Sequence, residues 1–232
     1  MINDMMEYKI NPSVVCADLT RLGQQIEELT RAKVDLFHWD VMDGVYVHNF
    51  CLTPDIMAAC RPFSNLPFDV HLCITNPAGF IDMTAEAGAD IISLQLETTP
   101  HLHRAVEQIH KRGKQAGVVI NPSTPLSHLD SILSELQMVT VMTVDVGFAG
   151  QNFIYPMLEK ISSLRRTIED KGLNVDIQID GQVNSKTIDK VIHAGANVLV
   201  VGTSGLFKVD NDLEEAVKKV REQIQSAVME QN

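Results

Sequence analysis

The chain has 232 residues, 45% apolar and 21% charged, a balance that fills a sizeable core and excludes a disordered chain. Lys and Arg number 19 against 30 Asp and Glu, and the formal charge of −11 argues against a nucleic-acid backbone or an anionic membrane as partner. A phosphorylated small molecule stays open, because backbone N–H groups and helix N-termini can hold phosphate inside an acidic protein.

The opening stretch, MINDMMEYKINPS, has neither a basic segment nor an apolar run, so no leader is expected. No apolar run reaches bilayer-spanning length, and a cytoplasmic enzyme is the expectation. Strands are then predicted at Lys9–Val15, Asp35–Met42, Pro67–Ile74, Asp90–Leu96, Gln115–Ile120, Met138–Val144, Asn174–Asp180 and Asn197–Val201. Helices are predicted between and after them, at Leu19–Lys33, Pro54–Cys60, Pro77–Ala87, Pro100–Arg112, Pro125–Leu133, Tyr155–Asp170, Ser185–Ala194 and Asp210–Met229. Several open on proline, whose fixed φ and missing N–H suit a first turn.

Ala85–Leu96 and Ile192–Thr203 echo each other, each ending a helix at Ala-Gly-Ala before a strand begins. Eight β-then-α units with no Pro/Gly/Ser-rich linker predict an α/β fold: a single (β/α)8 TIM barrel domain over residues 1–232. An open doubly wound sheet is the alternative, and it needs only about five or six units. The four cysteines (Cys16, Cys51, Cys60, Cys73) lack C-x-x-C spacing and lie in or near apolar segments, so buried reduced thiols are expected.

Chemistry-bearing residues gather at strand ends. His38, Asp40 and Met42 share one face of their strand because side chains alternate, while Trp39 points to the helix side. His71 closes the next strand and Asp180 a later one. Any one of these reads equally well as a satisfied polar residue. Two imidazoles and two carboxylates at the active end of a barrel read as ligands for Zn2+, Fe2+, Mn2+ or Co2+. Two glycine runs, Gly147-Phe148-Ala149-Gly150-Gln151 and Gly202-Thr203-Ser204-Gly205, follow the sixth and eighth strands. Both are read as lying just ahead of helices, where backbone N–H groups receive phosphate.

These residues sit within longer runs: Asn11-Pro12-Ser13, His38–Gly44, Asp69–Leu72, Val119–Pro125, Val141–Gln151 and Ile179–Gly181. In order, and over nearly the whole chain, they resemble the ribulose-phosphate 3-epimerase family. Thr143-Val144-Asp145 and Val201–Phe207 are more similar to its allulose-6-phosphate 3-epimerase branch. The resemblance implies a metal-dependent ketose-phosphate 3-epimerase, acting on D-allulose 6-phosphate or D-ribulose 5-phosphate. One divalent ion would be held by His38, Asp40, His71 and Asp180, with Asp40 and Asp180 also the acid/base pair. Ser13, Met42 and Met142 would line the substrate site. Gly147, Phe148, Ala149, Gly150, Gly181, Gly202, Thr203 and Ser204 would complete it on the phosphate side. A homo-oligomer is implied as well.

The chain departs from the family pattern at His48, Cys73, Gln95, Val146 and Gln182. Cys73 and Gln95 are expected to line the pocket, and Gln182 to enter the phosphate loop. Two other functions compete. A decarboxylating lyase of the same barrel type would want a lysine beside an aspartate at a strand end, and these ends carry none. A binding protein without turnover would follow from the departures, but Asp40 and Asp180 are both intact.

Overall fold

All eight predicted strands form, and all pair in parallel. In the computed structural model, which describes residues 6–230, they are β1 (Lys9–Pro12), β2 (Phe37–Met42), β3 (Phe68–Cys73), β4 (Ile91–Gln95), β5 (Gln115–Ile120), β6 (Met138–Met142), β7 (Asp176–Asp180) and β8 (Val198–Val201). Residues 1–5, part of the stretch read for a leader, and residues 231–232 lie outside the described residues. The sheet runs β1-β8-β7-β6-β5-β4-β3-β2. Its two edges meet: Ser13 bridges His38 in parallel register, and the Asp35 N–H donates to the Ile10 carbonyl at 3.0 Å. That seam closes the expected (β/α)8 TIM barrel and excludes the open sheet.

Parallel strands covered on both faces need near-continuous apolar runs. Here the outward residues Phe37, Trp39, Phe68, Val70, Leu72, Ile92 and Leu94 are fully buried under the helices. Trp39 stacks at 5.0 Å from the Phe68 ring, on the helix side as alternation requires. The helices are α1 (Leu22–Arg31), α2 (Pro54–Cys60), α3 (Ile81–Glu86), α4 (Leu102–Lys111), α5 (Met157–Asp170), α6 (Ile188–His193) and α7 (Leu213–Met229). Their buried stripes follow helical spacing, as in Met157, Ile161, Leu164 and Ile168 of α5. Both Ala-Gly-Ala echoes are helix ends, with Gly88 (φ 105°) after α3 and Gly195 (φ 106°) after α6.

The helix expected at Pro125–Leu133 does not form; two separate 3-10 turns, Leu126–Leu129 and Leu133–Glu135, replace it. Leu126, Leu129 and Ile132 recur every three residues, the 3-10 period, and serines at 127, 131 and 134 weaken a helix interior. Strands β1 and β6 stop at Pro12 and Met142, short of Val15 and Val144, and Val14–Cys16 turns away as a 3-10 segment. All four cysteines are free thiols; Cys60 and Cys73 are buried as expected, whereas Cys16 and Cys51 are only half-buried. Among the described residues, no helix is long and apolar enough to cross a membrane.

Inside the barrel, Leu36, Ile91, Met138 and Val198 form an apolar layer at the N-terminal end. Above it lies a fully buried polar plate made of Asn11, Asp69, Ser93, Thr140 and Gln178. Asn11 Nδ2 donates to Asp69 Oδ2 (3.0 Å) and Gln178 Oε1 (2.7 Å). Gln178 Nε2 donates to Asp69 Oδ2 (2.8 Å) and Thr140 Oγ1 (3.0 Å), and Ser93 Oγ to Asp69 Oδ1 (3.2 Å). Strand β5 contributes Gly117 at this level, where any Cβ would lie 2.2 Å from Ser93 Oγ. The plate is the floor of what stands above it.

Candidate active site

Register brings the strand-end residues together. Asp40 of β2 lies beside His71 of β3, and Met142 of β6 beside Asp180 of β7. His38, Asp40, His71 and Asp180 each present one ligand atom, and these atoms all lie within 4.8 Å of one another. His38 Nε2 is 3.3 Å from Asp40 Oδ1 and 3.7 Å from Asp180 Oδ2, while His71 Nδ1 is 3.3 Å from the same Asp40 oxygen. Ser13 Oγ donates to Asp40 Oδ2 at 3.1 Å.

The donor set fits a cation. His38 Nδ1 lies 2.7 Å from Asp69 Oδ2, and an ionised carboxylate only accepts, so this nitrogen carries the proton. Nε2 of the neutral ring then aims a lone pair at the cluster, and it is a buried atom with no hydrogen-bond partner. His71 Nε2 bonds to Gln95 Oε1 at 2.8 Å, which leaves Nδ1 facing inward as a second lone pair. Two imidazole nitrogens and two carboxylates thus converge as acceptors, and a divalent ion satisfies all four.

The metal-free electrostatics express the same demand. Burial by itself would lower the His38 pKa, but the carboxylates of Asp40 and Asp69 outweigh it and raise it well above the ordinary value. Burial would raise Asp40, yet the His38 and His71 imidazoles hold it far below the usual carboxylate range. Asp180 goes the other way, pushed up to about 6 by burial and by the neighbouring charge of Asp40. Two carboxylates in one site with pKa values driven apart are suited to opposite proton-transfer roles.

A cavity of about 550 Å3 opens over this cluster. Asp40 and Asp180 form part of its wall, together with Ser13, Met42, Met142, Gly147, Phe148, Ala149, Gly150, Gly181, Gly202, Thr203 and Ser204. His38 and His71 are fully buried beneath it. Gly181 has φ 117°, and a Cβ there would lie 2.7 Å from Val144, so the chain turns tightly past the cavity wall. Asn49 Nδ2 donates to the Gly147 carbonyl at 2.9 Å and ties the loop after β2 to the loop after β6.

Three expectations need correction. Neither glycine run opens an α-helix: α5 starts at Met157 and α7 at Leu213, and Thr203–Phe207 forms one π-helical turn instead. The donors on that side are therefore loop and single-turn N–H groups. Cys73 and Gln95 do not line the cavity, because both are fully buried behind its wall, and Gln95 is held there by its bond to His71. Gln182 does line it, at φ 54°, with Oε1 accepting from Ser204 Oγ at 2.7 Å and Asn184 Nδ2 at 3.2 Å.

Other residues were not anticipated. Asp69 was visible to strand parity, since it shares a face with His71 two residues on, and a buried carboxylate needs partners. Lys208, the one basic side chain among the lining residues, sits in no motif and had no sequence signal.

The chain matches the model of the ribulose-phosphate 3 epimerase family over residues 9–207. It is 42% identical over 214 residues to ribulose-phosphate 3-epimerase of Bacillus subtilis, covering 92% of this chain and 98% of that one. It is 43% identical to the chloroplastic ribulose-5-phosphate-3-epimerase of Arabidopsis thaliana over 91% of this chain and 75% of the relative. The Escherichia coli K12 ribulose-phosphate 3-epimerase is 35% identical over 95% and 97% of the two chains. Among solved structures, 3-keto-L-gulonate-6-phosphate decarboxylase from Vibrio cholerae superposes with a TM-score of 0.70 at 14% identity, covering 95% of this chain and 98% of that one. The 3-hexulose-6-phosphate synthase from Salmonella typhimurium gives 0.68 at 15%, over 94% and 99%. These two likenesses concern the fold alone, whereas the sequence matches run through the strand ends and loops that build the site: the chain belongs to the ribulose-phosphate 3 epimerase family.

Proposed function

We propose that this chain, as one barrel domain, is a metal-dependent ketose-phosphate 3-epimerase in which Asp40 and Asp180 move the C3 proton between the two faces of the substrate. The observation that carries this reading is the pair itself. Two carboxylates, Asp40 from β2 and Asp180 from β7, meet at the wall of one cavity and within one cluster of ligand atoms.

Asp40 takes the proton from C3, next to the C2 ketone, and the electron pair left behind makes a flat enediolate. Asp180 gives a proton to the opposite face of C3, and the reverse reaction exchanges the roles. Ser13 holds one Asp40 oxygen in place. Met42 and Met142 cover the flat intermediate without offering it a competing proton. Thr203, Ser204 and the glycine loops receive the phosphate through N–H groups. A divalent ion held by His38, Asp40, His71 and Asp180 supplies positive charge where negative charge develops on the substrate. The donor set suits Zn2+, Fe2+, Mn2+ or Co2+.

The names of the curated relatives support D-ribulose 5-phosphate and D-xylulose 5-phosphate as the substrate pair. Thr143-Val144-Asp145 and Val201–Phe207 support a second reading, D-allulose 6-phosphate and D-fructose 6-phosphate. Association with further copies of the chain belongs to the same proposal, supported by the exposed Val45 and Phe50 of the loop after β2 and the exposed Phe148 at the cavity. The lyase reading loses support because the only lining lysine, Lys208, lies on an exposed loop rather than beside a strand-end aspartate.

The test is solvent deuterium incorporation at C3, followed by NMR with Zn2+ and each ketose phosphate in turn. Incorporation with epimer formation is expected on one of the two pairs, and it names the substrate. Asp180→Asn should reduce turnover by at least about 100-fold while leaving the fold intact. Near-normal turnover in that variant would overturn the two-carboxylate mechanism.

A further inference from the structure

We propose that Glu97 is a positioning residue that selects the tautomer of His71 through the amide of Gln95. Glu97 Oε1 accepts from the Asn121 backbone N–H at 3.0 Å and from the Thr124 hydroxyl, and Gln95 Nε2 donates to Glu97 Oε2. Lys160 fixes the loop bearing these donors, with Nζ bonded to the carbonyls of Asn121 (3.2 Å), Pro122 (2.6 Å) and Thr124 (2.8 Å).

A carboxylate can only accept, so Gln95 must turn its NH2 toward Glu97 and its oxygen toward His71. The opposite orientation would set oxygen against oxygen at Glu97. The oxygen of Gln95, 2.8 Å from His71 Nε2, then requires a proton on that nitrogen. Neutral His71 then keeps its lone pair on Nδ1, which faces Asp40 at 3.3 Å, a pairing of two acceptors that a cation satisfies. A charge on the loop after β4 thus decides which imidazole nitrogen can serve as a ligand. Gln95 is fully buried, so no solvent molecule competes for either end of its amide.

Glu97→Gln makes the chain of bonds run backwards. The Asn121 N–H still needs an acceptor, so the new amide keeps its oxygen there and presents NH2 to Gln95. Gln95 flips, offers NH2 to His71 Nε2, and the proton of His71 moves to Nδ1. The double variant Gln95→Glu with Glu97→Gln restores the original polarity: Gln at 97 donates to Glu at 95, which again accepts from Nε2–H.

The proposal builds on the metal-site reading above, and two measurements separate it from that reading. Nitrogen-15 NMR of histidine-labelled, metal-free protein, with the pH raised until the imidazole signals stop moving, reports the tautomer directly. The Nε2–H form is expected in the native chain, the Nδ1–H form in Glu97→Gln, and Nε2–H again in the double variant. Calorimetric titration with Zn2+ should give a dissociation constant about 10-fold or more higher for Glu97→Gln, recovered in the double variant. An unchanged tautomer in Glu97→Gln, or no recovery in the double variant, overturns the proposal. If the native chain binds no Zn2+, the metal reading falls, and the tautomer series still decides the role of Glu97.

Discussion

Asp43 stands next to last in the His38–Gly44 run, outside the cluster of His38, Asp40, His71 and Asp180. Its carboxylate instead accepts from the Thr75 N–H and hydroxyl (both 2.8 Å) and from the Val45 and Tyr46 N–H groups (both 2.9 Å), tying the loops after β2 and β3 together. Burial would raise its pKa, but these donors prevail and hold it at about 2. A folded-state pKa below the ordinary 3.8 means stabilisation that is complete above pH 3.8 and lost as the pH falls through about 2. Asp43→Asn should therefore cost about 1 kcal/mol at pH 6 and progressively less below pH 4, as urea melts across that range would read. A cost that does not change with pH would mean that the ionised form contributes nothing. At this scale, alternation put His38 and Asp40 on one face and strand ends pointed to His71 and Asp180, because both are local properties. Glu97 stayed invisible, because its role depends on a loop donor 24 residues away.

Helix ends show how an element can be legible in kind and not in detail. Gly88, Gly113, Gly172 and Gly195 follow α3, α4, α5 and α6 in the left-handed region, each at a junction that leads into the next strand. After α1 the equivalent residue is Lys33, at φ 64°. A side chain in this conformation is disfavoured, while the bond that Arg221 donates to Lys33 is accepted by its backbone carbonyl and would survive substitution. Lys33→Gly is expected to stabilise the protein by roughly 0.5–1 kcal/mol, a rise of about 2 °C in Tm by calorimetry. An unchanged or lower Tm would show that Lys33 bears no strain. Helices with four-residue spacing, such as α5, were readable from the sequence. The segment at Pro125–Leu133 was not, because three-residue spacing over a short stretch looks helical until the serines are weighed.

For the whole molecule, the count of eight units gave the barrel, since each unit announces itself by an apolar run and an amphipathic partner. The seam between β1 and β2 was beyond reach, because its bridge joins Ser13 to His38 through shape and not through any local signal. On the metal-site proposal, the folded barrel and not the unfolded chain is the form that would hold an ion. At about 100 times its dissociation constant, Zn2+ should add about 2.7 kcal/mol of stability. That corresponds to a Tm rise of about 5–10 °C, reversed by a chelator, and no shift would mean no folded-state site. The plate also sets a clock. Asn11 and Gln178, bonded at its centre, are 167 positions apart, and Asp180, the last of the four proposed ligands, leaves the ribosome just after Gln178. A growing chain that ends before Gln178 has both histidines, but an incomplete floor beneath them and no Asp180. On the metal-site proposal, ion capture therefore waits for a polypeptide that has grown past Asp180.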